Sequence, residues 1–334
     1  MRSVTMQDVA EKAGVSKSTV SQYINSRYEY MGESTKLRIQ EAIRELGYIP
    51  NSVAKSLKLK KTSTIGVIVA NILHTFSTEI IRAIEDVCEE NHLQLFVCNA
   101  DDNPVKEREY IEMLLAKQVD GLIIFPTDAN MFLYEQLKHS NFPLVFVDRK
   151  LEQPIYPVLM LDNEKAAEIA IKRLIQKGLT KIGSVSMSIT LNVSPRIERI
   201  EGFKKTLTAN GIVPNDNWIV ATHRTDIISE LEKIWLGEDR PEAFFATNDL
   251  SLIELLKFFR KINIRIPQDV SVIAIDDSDF LEIVSTPITA IKQPTFQIGK
   301  DAAEALLNMI AAEKLEDSYE IKRYTPHLIE RESV

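Results

Sequence analysis

Residues 5–25 read TMQDVAEKAGVSKSTVSQYIN, and the spacing of their apolar side chains decides how the chain begins. Met6, Val9, Ala10 and Ala13 fall at i, i+3, i+4 and i+7, the stripe of an amphipathic helix, and Thr5 with Asp8 three later opens a capping box. Gly14 ends that helix, since glycine takes the left-handed conformation of a helix C-terminus without steric cost. Ser16 then caps a second helix that turns Val20 and Ile24 inward. A third stripe, Ile39, Ala42, Ile43 and Leu46, stops at Gly47, so the spacing predicts three short helices around one small core. In such a unit the second helix lies in the DNA major groove, and its outward residues near the N-terminal end, here Lys17, Ser18, Ser21 and Gln22, reach base edges. A three-helix bundle with a merely polar face fits the same spacing.

The charge is uneven along the chain. Residues 1–61 hold 11 Lys or Arg against 6 Asp or Glu, a net +5, while the rest of the molecule carries −13. A basic segment on an acidic body is the footprint of a nucleic-acid arm joined to a domain with another task, although a solvated charged face gives the same sum. The 334 residues, 45% hydrophobic and 26% charged, exclude disorder and fibrous repeats and suggest two to three domains. No apolar run reaches the roughly 20 residues of a membrane helix, and MRSVTMQDVAEKAGV lacks a signal-peptide stretch, so the expectation is a cytoplasmic protein with no membrane partner. Cys88 and Cys98, the only cysteines, read as small core residues.

The string at 5–25, followed by ELGYIPNSVAKSLK at 45–58, resembles the N-terminus of the lactose-repressor (LacI/GalR) family of bacterial transcription regulators. The resemblance implies a helix-turn-helix DNA-binding domain at 1–49, a hinge helix and linker at 50–63, and an effector-binding and dimerisation core at 64–334. It implies operator contacts from Thr5, Ser16, Lys17, Ser18, Thr19, Ser21, Gln22, Asn25, Tyr48, Asn51, Ala54, Lys55 and Leu57. Asn51 can cap a helix at 52–59, too short to be stable alone in water, and Leu57 matches the family leucine that wedges into the minor groove. Three features depart from the family: Gln22 stands where Arg is commonest, Gly32 where Ser usually caps the third helix, and Tyr28-Glu29-Tyr30 replaces a Gly-containing loop. A Gln amide pairs with the N6 and N7 edge of adenine, so Gln22 is expected to favour that base. Two half-sites read by matched recognition helices give the expectation of a homodimer on a pseudo-palindromic operator, and LIERESV, without a leucine heptad, that of no coiled-coil tetramer.

From Thr64 onward, β-rich runs (TIGVIVA, LQLFVCNA, DGLIIFP, PLVFVDR, KIGSVSM, EAFFATND, VSVIAIDD) alternate with helical stretches such as 78–91 and 249–261. Such alternation means parallel sheets covered by helices, and two groups of strands mean two α/β lobes. The resemblance agrees, implying a core like a periplasmic sugar-binding protein. Lobe 1 is expected at about 64–160 and 290–320, and lobe 2 at 161–289 and 321–334. Crossings fall near 159–162 and 288–294, with a third near the C-terminal strand.

Ligands of open parallel sheets sit beyond the carboxyl ends of the strands. The residues that follow the strands are Phe76, Asp148 and Arg149, Arg196 and Arg199, Asn248 and Asp249, and Asp276. Each acid or amide is equally readable as a helix cap, and Asp148 with Arg149 as a simple pair. The resemblance singles out Arg199, three residues before Gly-Phe in NVSPRIERIEGF, as the ligand anchor, with Asn248, Asp249, Asp276 and Phe76 at matching positions; Arg196 is an addition. Phe76, Asp148, Arg196, Arg199, Asn248 and Asp276 therefore form the expected effector site. Two arginines three apart suit a carboxylate or phosphate, which points to a sugar acid. A first loop ending Phe-Ser, together with SPRIERIEGF, also resembles the 2-keto-3-deoxygluconate-responsive branch. Solvent, Glu198 or Glu201 are the alternative destinations of Arg196.

No phosphate loop or Gly-x-Gly-x-x-Gly is present, and His74, His92, His139, His223 and His327 lack HExxH or triad spacing, so no enzyme, cofactor or metal is expected. A DNA-binding repressor of carbohydrate catabolism, a transporter's solute-binding protein and an enzyme on the same scaffold are the function classes in view. The headpiece favours the first.

Overall fold

The computed structural model describes residues 4–49, 62–152, 154–312, 314–316 and 318–334. The expected hinge helix, with Asn51, Ala54, Lys55 and Leu57, lies outside them. The chain divides into two compact units, Met1–Thr62 and Ser63–Val334.

In the first unit α1 (Met6–Ala13), α2 (Lys17–Ile24) and α3 (Glu33–Leu46) enclose a core of Val9, Ala10, Ala13, Val20, Ile39, Ala42 and Tyr48. Thr5 and Asp8 complete the capping box, and Gly14 closes α1 at φ 64°. Ser16 accepts from the Thr19 N–H, a bond that satisfies one of the orphan donors at the start of α2. Gly32 supplies no such bond to α3.

In the second unit β1 (Thr64–Val69), α4 (Thr75–Glu90), β2 (Gln94–Asn99), α5 (Pro104–Ala116), β3 (Gly121–Ile124), α6 (Met131–His139), β4 (Leu144–Val147) and β5 (Val158–Leu161) build the first lobe. The chain crosses to α7 (Asn163–Gln176), β6 (Ile182–Met187), α8 (Ser194–Ala209), β7 (Ile219–Thr222), α9 (Ile227–Leu236) and β8 (Ala243–Ala246). α10 (Asp249–Lys261), β9 (Ser271–Ile275), α11 (Phe280–Ile283) and β10 (Thr289–Lys292) complete that run. It then returns through α12 (Thr295–Ala311) and β11 (Ile321–Tyr324) before ending in β12 (His327–Ile329).

The sheets run β11-β5-β4-β3-β1-β2 and β12-β10-β9-β8-β6-β7, one strand order used twice. Every pairing is parallel except β10 with β12. Strands such as β1, β3, β4 and β8 are buried along their whole length, as parallel strands covered on both faces must be. The crossings correct the expected lobe limits. Residues 290–292 lie in β10 of the second sheet, so lobe 1 resumes only after Lys292. Residues 321–324, expected in lobe 2, pair with Val158–Leu161 of the first sheet, where Tyr324 is buried and hydrogen-bonds Asp301 of α12. Only the stretch from His327 returns to lobe 2.

Candidate DNA-reading helix and effector cleft

Lys17, Ser18 and Gln22 are exposed on α2, with Ser21 half-buried between them. Ser16 and Thr19 are engaged in the cap, their hydroxyls 2.8 Å apart. Asn25 ends the helix by donating to the Ser21 carbonyl at 2.7 Å. Thr5 serves the capping box of α1, and Tyr48 belongs to the headpiece core at 8% exposure. The face offered by α2 is thus short and polar, with one cation, Lys17, and one amide, Gln22, exposed on it.

All six residues expected at the effector site line one cleft between the two lobes, together with His74, Ser77, Phe125, Arg149 and Gln293. Phe76 sits in the first turn of α4, not in a loop, and packs on Phe125 with ring centroids 6.0 Å apart, forming an apolar wall. Arg196 and Arg199 stand in the first turns of α8, where Pro195 pre-sets the helical φ at its start. Three residues apart on a helix is one face, so both point into the cleft.

Asp148 and Asp276 occupy equivalent places. One follows β4 and the other β9; the N–H of Asp148 donates to Leu159 and that of Asp276 to Ile291, and both residues have positive φ, 68° and 79°. Side chains other than glycine seldom take that conformation, and its cost is tolerated where a particular aim of the side chain is needed. Burial raises the pKa of both acids. For Asp148 it outweighs the pull of Arg149, Arg199, His74 and Arg196. For Asp276 burial and the nearby charge of Asp249 outweigh Arg199 and His74, bringing its pKa to about 6.

Asn248 caps α10, its carbonyl oxygen accepting from the Ser251 N–H at 2.8 Å. Capping and lining the cleft are therefore compatible. Asp249 is not a cap; its carboxylate reaches the other lobe, meeting His74 Nδ1 at 2.5 Å and the Thr75 N–H at 2.8 Å. Burial would raise its pKa, but these contacts hold it lowered.

The arginines divide the charge unequally. Arg199 donates to Asn163 Oδ1 at 2.8 Å and to the Thr247 carbonyl at 2.6 Å, both neutral acceptors. Arg196 donates to the Ser188 carbonyl at 2.9 Å and to Asp102 across the cleft at 2.7 Å. Neither solvent nor Glu198 nor Glu201 is its partner; Glu198 binds Arg323 and Lys150 instead. Arg149 also bonds Asp102, while its Nε is buried without a hydrogen bond, 3.7 Å from Asp148.

Sequence reasoning missed His74, Gln293 and Asp102. Gln293 follows a strand, β10, and the same end-of-strand rule finds it once that strand is recognised. Asp102 follows β2 in the turn Asp101-Asp102, both at positive φ. Nothing local in the sequence distinguishes His74 from the other histidines. Among the described residues no group of three or more His, Cys, Asp or Glu is placed to hold a metal, and no helix is long and apolar enough to cross a membrane.

Comparison with known proteins agrees with both halves. Residues 5–51 match the family model for bacterial regulatory proteins of the lacI family, and residues 171–334 that for a periplasmic binding protein-like domain. The chain is 43% identical, over 99% of its length and 98% of the relative's, to the probable HTH-type transcriptional regulator EndR of Paenibacillus polymyxa. It is 33% identical to the HTH-type transcriptional regulator KdgR of Bacillus subtilis, over 93% of this chain and 92% of that one. The solved Lac repressor bound to ONPG superposes with a TM-score of 0.86 at 25% identity, covering all of both chains. A DNA-reading headpiece on a two-lobed ligand-binding core, with relatives that are regulators and not enzymes, makes this chain a DNA-binding transcriptional regulator of the LacI family.

Proposed function

We propose that this regulator is a cytoplasmic homodimer that represses carbohydrate-catabolism genes and is released from its operator by a small sugar acid held between the two lobes. The observation that carries the reading is Arg199, a buried guanidinium that lines the cleft and is held by neutral acceptors, so its charge is left for a ligand carboxylate. Asn248, Gln293, Asp148 and Asp276 surround it with hydroxyl partners, and Phe76 with Phe125 supplies a face for a sugar ring. The resemblance of SPRIERIEGF to the 2-keto-3-deoxygluconate-responsive branch supports the acid. A ligand that binds the closed lobes better than the open ones shifts the population toward closure, and that differential affinity is what releases DNA.

A neutral sugar is the second reading. It is favoured by Arg196, which the ion pair with Asp102 withdraws from the clamp first expected of two arginines. A thermal-shift panel of neutral sugars, sugar phosphates and keto-deoxy acids, paired with release from the protein's own upstream DNA, separates the two. A keto-deoxy acid that both stabilises the protein and releases DNA, with loss of both effects in Arg199→Ala, is the expected result. Stabilisation by a neutral sugar alone overturns the acid.

A further inference from the structure

Between the lobes lies a carboxylate shared by two arginines. Asp102 stands beyond β2 in lobe 1, with φ 56° and its N–H bonded to the Ala70 carbonyl at 2.8 Å. One of its oxygens accepts from Arg149 of the same lobe, and the other accepts from Arg196 of the opposite lobe at 2.7 Å. Arg149 and Arg196 are 6% and 7% exposed. Both line the effector cleft, and Asp102 is not among its lining residues. Burial alone would raise the acid's pKa, yet the two guanidinium charges together hold it at about 2, so it is ionised wherever the protein is folded near neutral pH.

We propose that Asp102 sets the charge selectivity of the cleft: by cancelling one of the two charges of Arg149 and Arg196, it leaves Arg199 as the guanidinium with no carboxylate partner and limits the site to neutral or singly charged effectors. The proposal rests on the cleft being the effector site and deepens that reading. Three arginines around one cleft with no counter-charge would suit a dianion such as a sugar phosphate. Asp102 cancels one of these three charges and Asp148, 3.7 Å from Arg149, a second, so a dianion brings more negative charge than the cleft can match, and burying unmatched charge is costly. Arg149 keeps one donor unspent in this arrangement, since its buried Nε, 3.7 Å from Asp148, has no hydrogen-bond partner. Asp102 is therefore a positioning and charge-setting residue; it need not touch the effector to decide which effector fits.

The test compares wild type, Asp102→Asn and Asp101→Asn by calorimetric titration with glucose, glucuronate and glucose 6-phosphate. Asp101 is the control because it is the neighbouring acid with the same charge, and it pairs with Lys106 at 2.5 Å away from both arginines. In Asp102→Asn the affinity is expected to change in order of ligand charge. Relative to glucose, glucuronate gains about tenfold and glucose 6-phosphate more, the worth of a freed charge-assisted hydrogen bond or two. The gain should vanish in Asp102→Asn with Arg196→Ala. A purely structural role for Asp102 would weaken all three ligands alike, and that outcome overturns the proposal. So does an equal gain in Asp101→Asn, or failure of every ligand to bind Asp102→Asn. None of these outcomes depends on release of operator DNA, so a charge trend without release leaves this inference standing and removes only the sugar-acid reading.

Discussion

Gln22 and Asp276 show what single side chains decide at the two ends of the regulator. Gln22 is exposed on α2 where it can present its amide to a base. Gln22→Arg should move the preferred base at one position of each half-site from adenine to guanine, since the guanidinium matches the O6 and N7 edge; binding selection with both proteins reads it, and an unchanged base would mean that residue 22 reads none. Asp276 has a folded pKa of about 6 against an ordinary 3.8. A carboxyl raised by folding favours the folded state when protonated, so its contribution is complete below about pH 4 and is lost as pH climbs through 6. Wild type should therefore lose stability relative to Asp276→Asn between pH 4 and pH 7. Urea unfolding at both values measures it, and parallel pH profiles would place the carboxyl's pKa back in the ordinary range. The cleft residues were legible because each follows a strand, a rule that needs only the strand ends. Their partners were not. Asp102 meets Arg196 across 94 positions and His74 meets Asp249 across 175, and no local pattern encodes such a meeting.

At the scale of elements, α8 links packing to the site. Gly202 lies three residues beyond Arg199 against α7, where a Cβ would come within 3.0 Å of the Glu164 carbonyl oxygen and Cα and of the Ala167 Cβ. Backbone atoms do not yield as a flexible side chain does. Gly202→Ala should push α8 away from α7, destabilise the core by about 1 to 3 kcal/mol and weaken effector binding without touching the ligand. Denaturant midpoints and ligand titration on the same variant test both, and unchanged affinity would show that α8 can shift without carrying Arg199. Helices with clear apolar stripes, α1 to α3 and α10, stand where their spacing put them. The N-terminus of α8 did not, because SPRIER has no apolar stripe and its charges read as loop. β11 and β12 escaped for a related reason. Each is a short edge strand, half exposed, and its pairing is chosen by the sheet that lacks an edge and not by its own residues.

Across the whole molecule, the division of charge separates the tasks of the two units. The segment at 1–61 carries +5 and the remainder −13, so the core repels the polyanion that the headpiece attracts. Residues 63–334 alone should show no retardation of DNA even at low salt, while the full chain should lose affinity steeply as salt rises, with Lys17→Ala lowering that slope by about one. Retardation by the core, or a slope untouched by Lys17→Ala, would contradict the division.

The strand order bears on how such a chain is made. Each sheet is closed by a strand from the last fourteen residues, β11 beside β5 and β12 beside β10, and Ser333, wholly buried, donates to the Val272 carbonyl and accepts from the Thr289 N–H. A ribosome therefore releases a complete headpiece long before either lobe can finish its sheet. During that interval the nascent chain has a folded headpiece and neither finished lobe, so translation itself sets a delay between completing the first unit and completing the second.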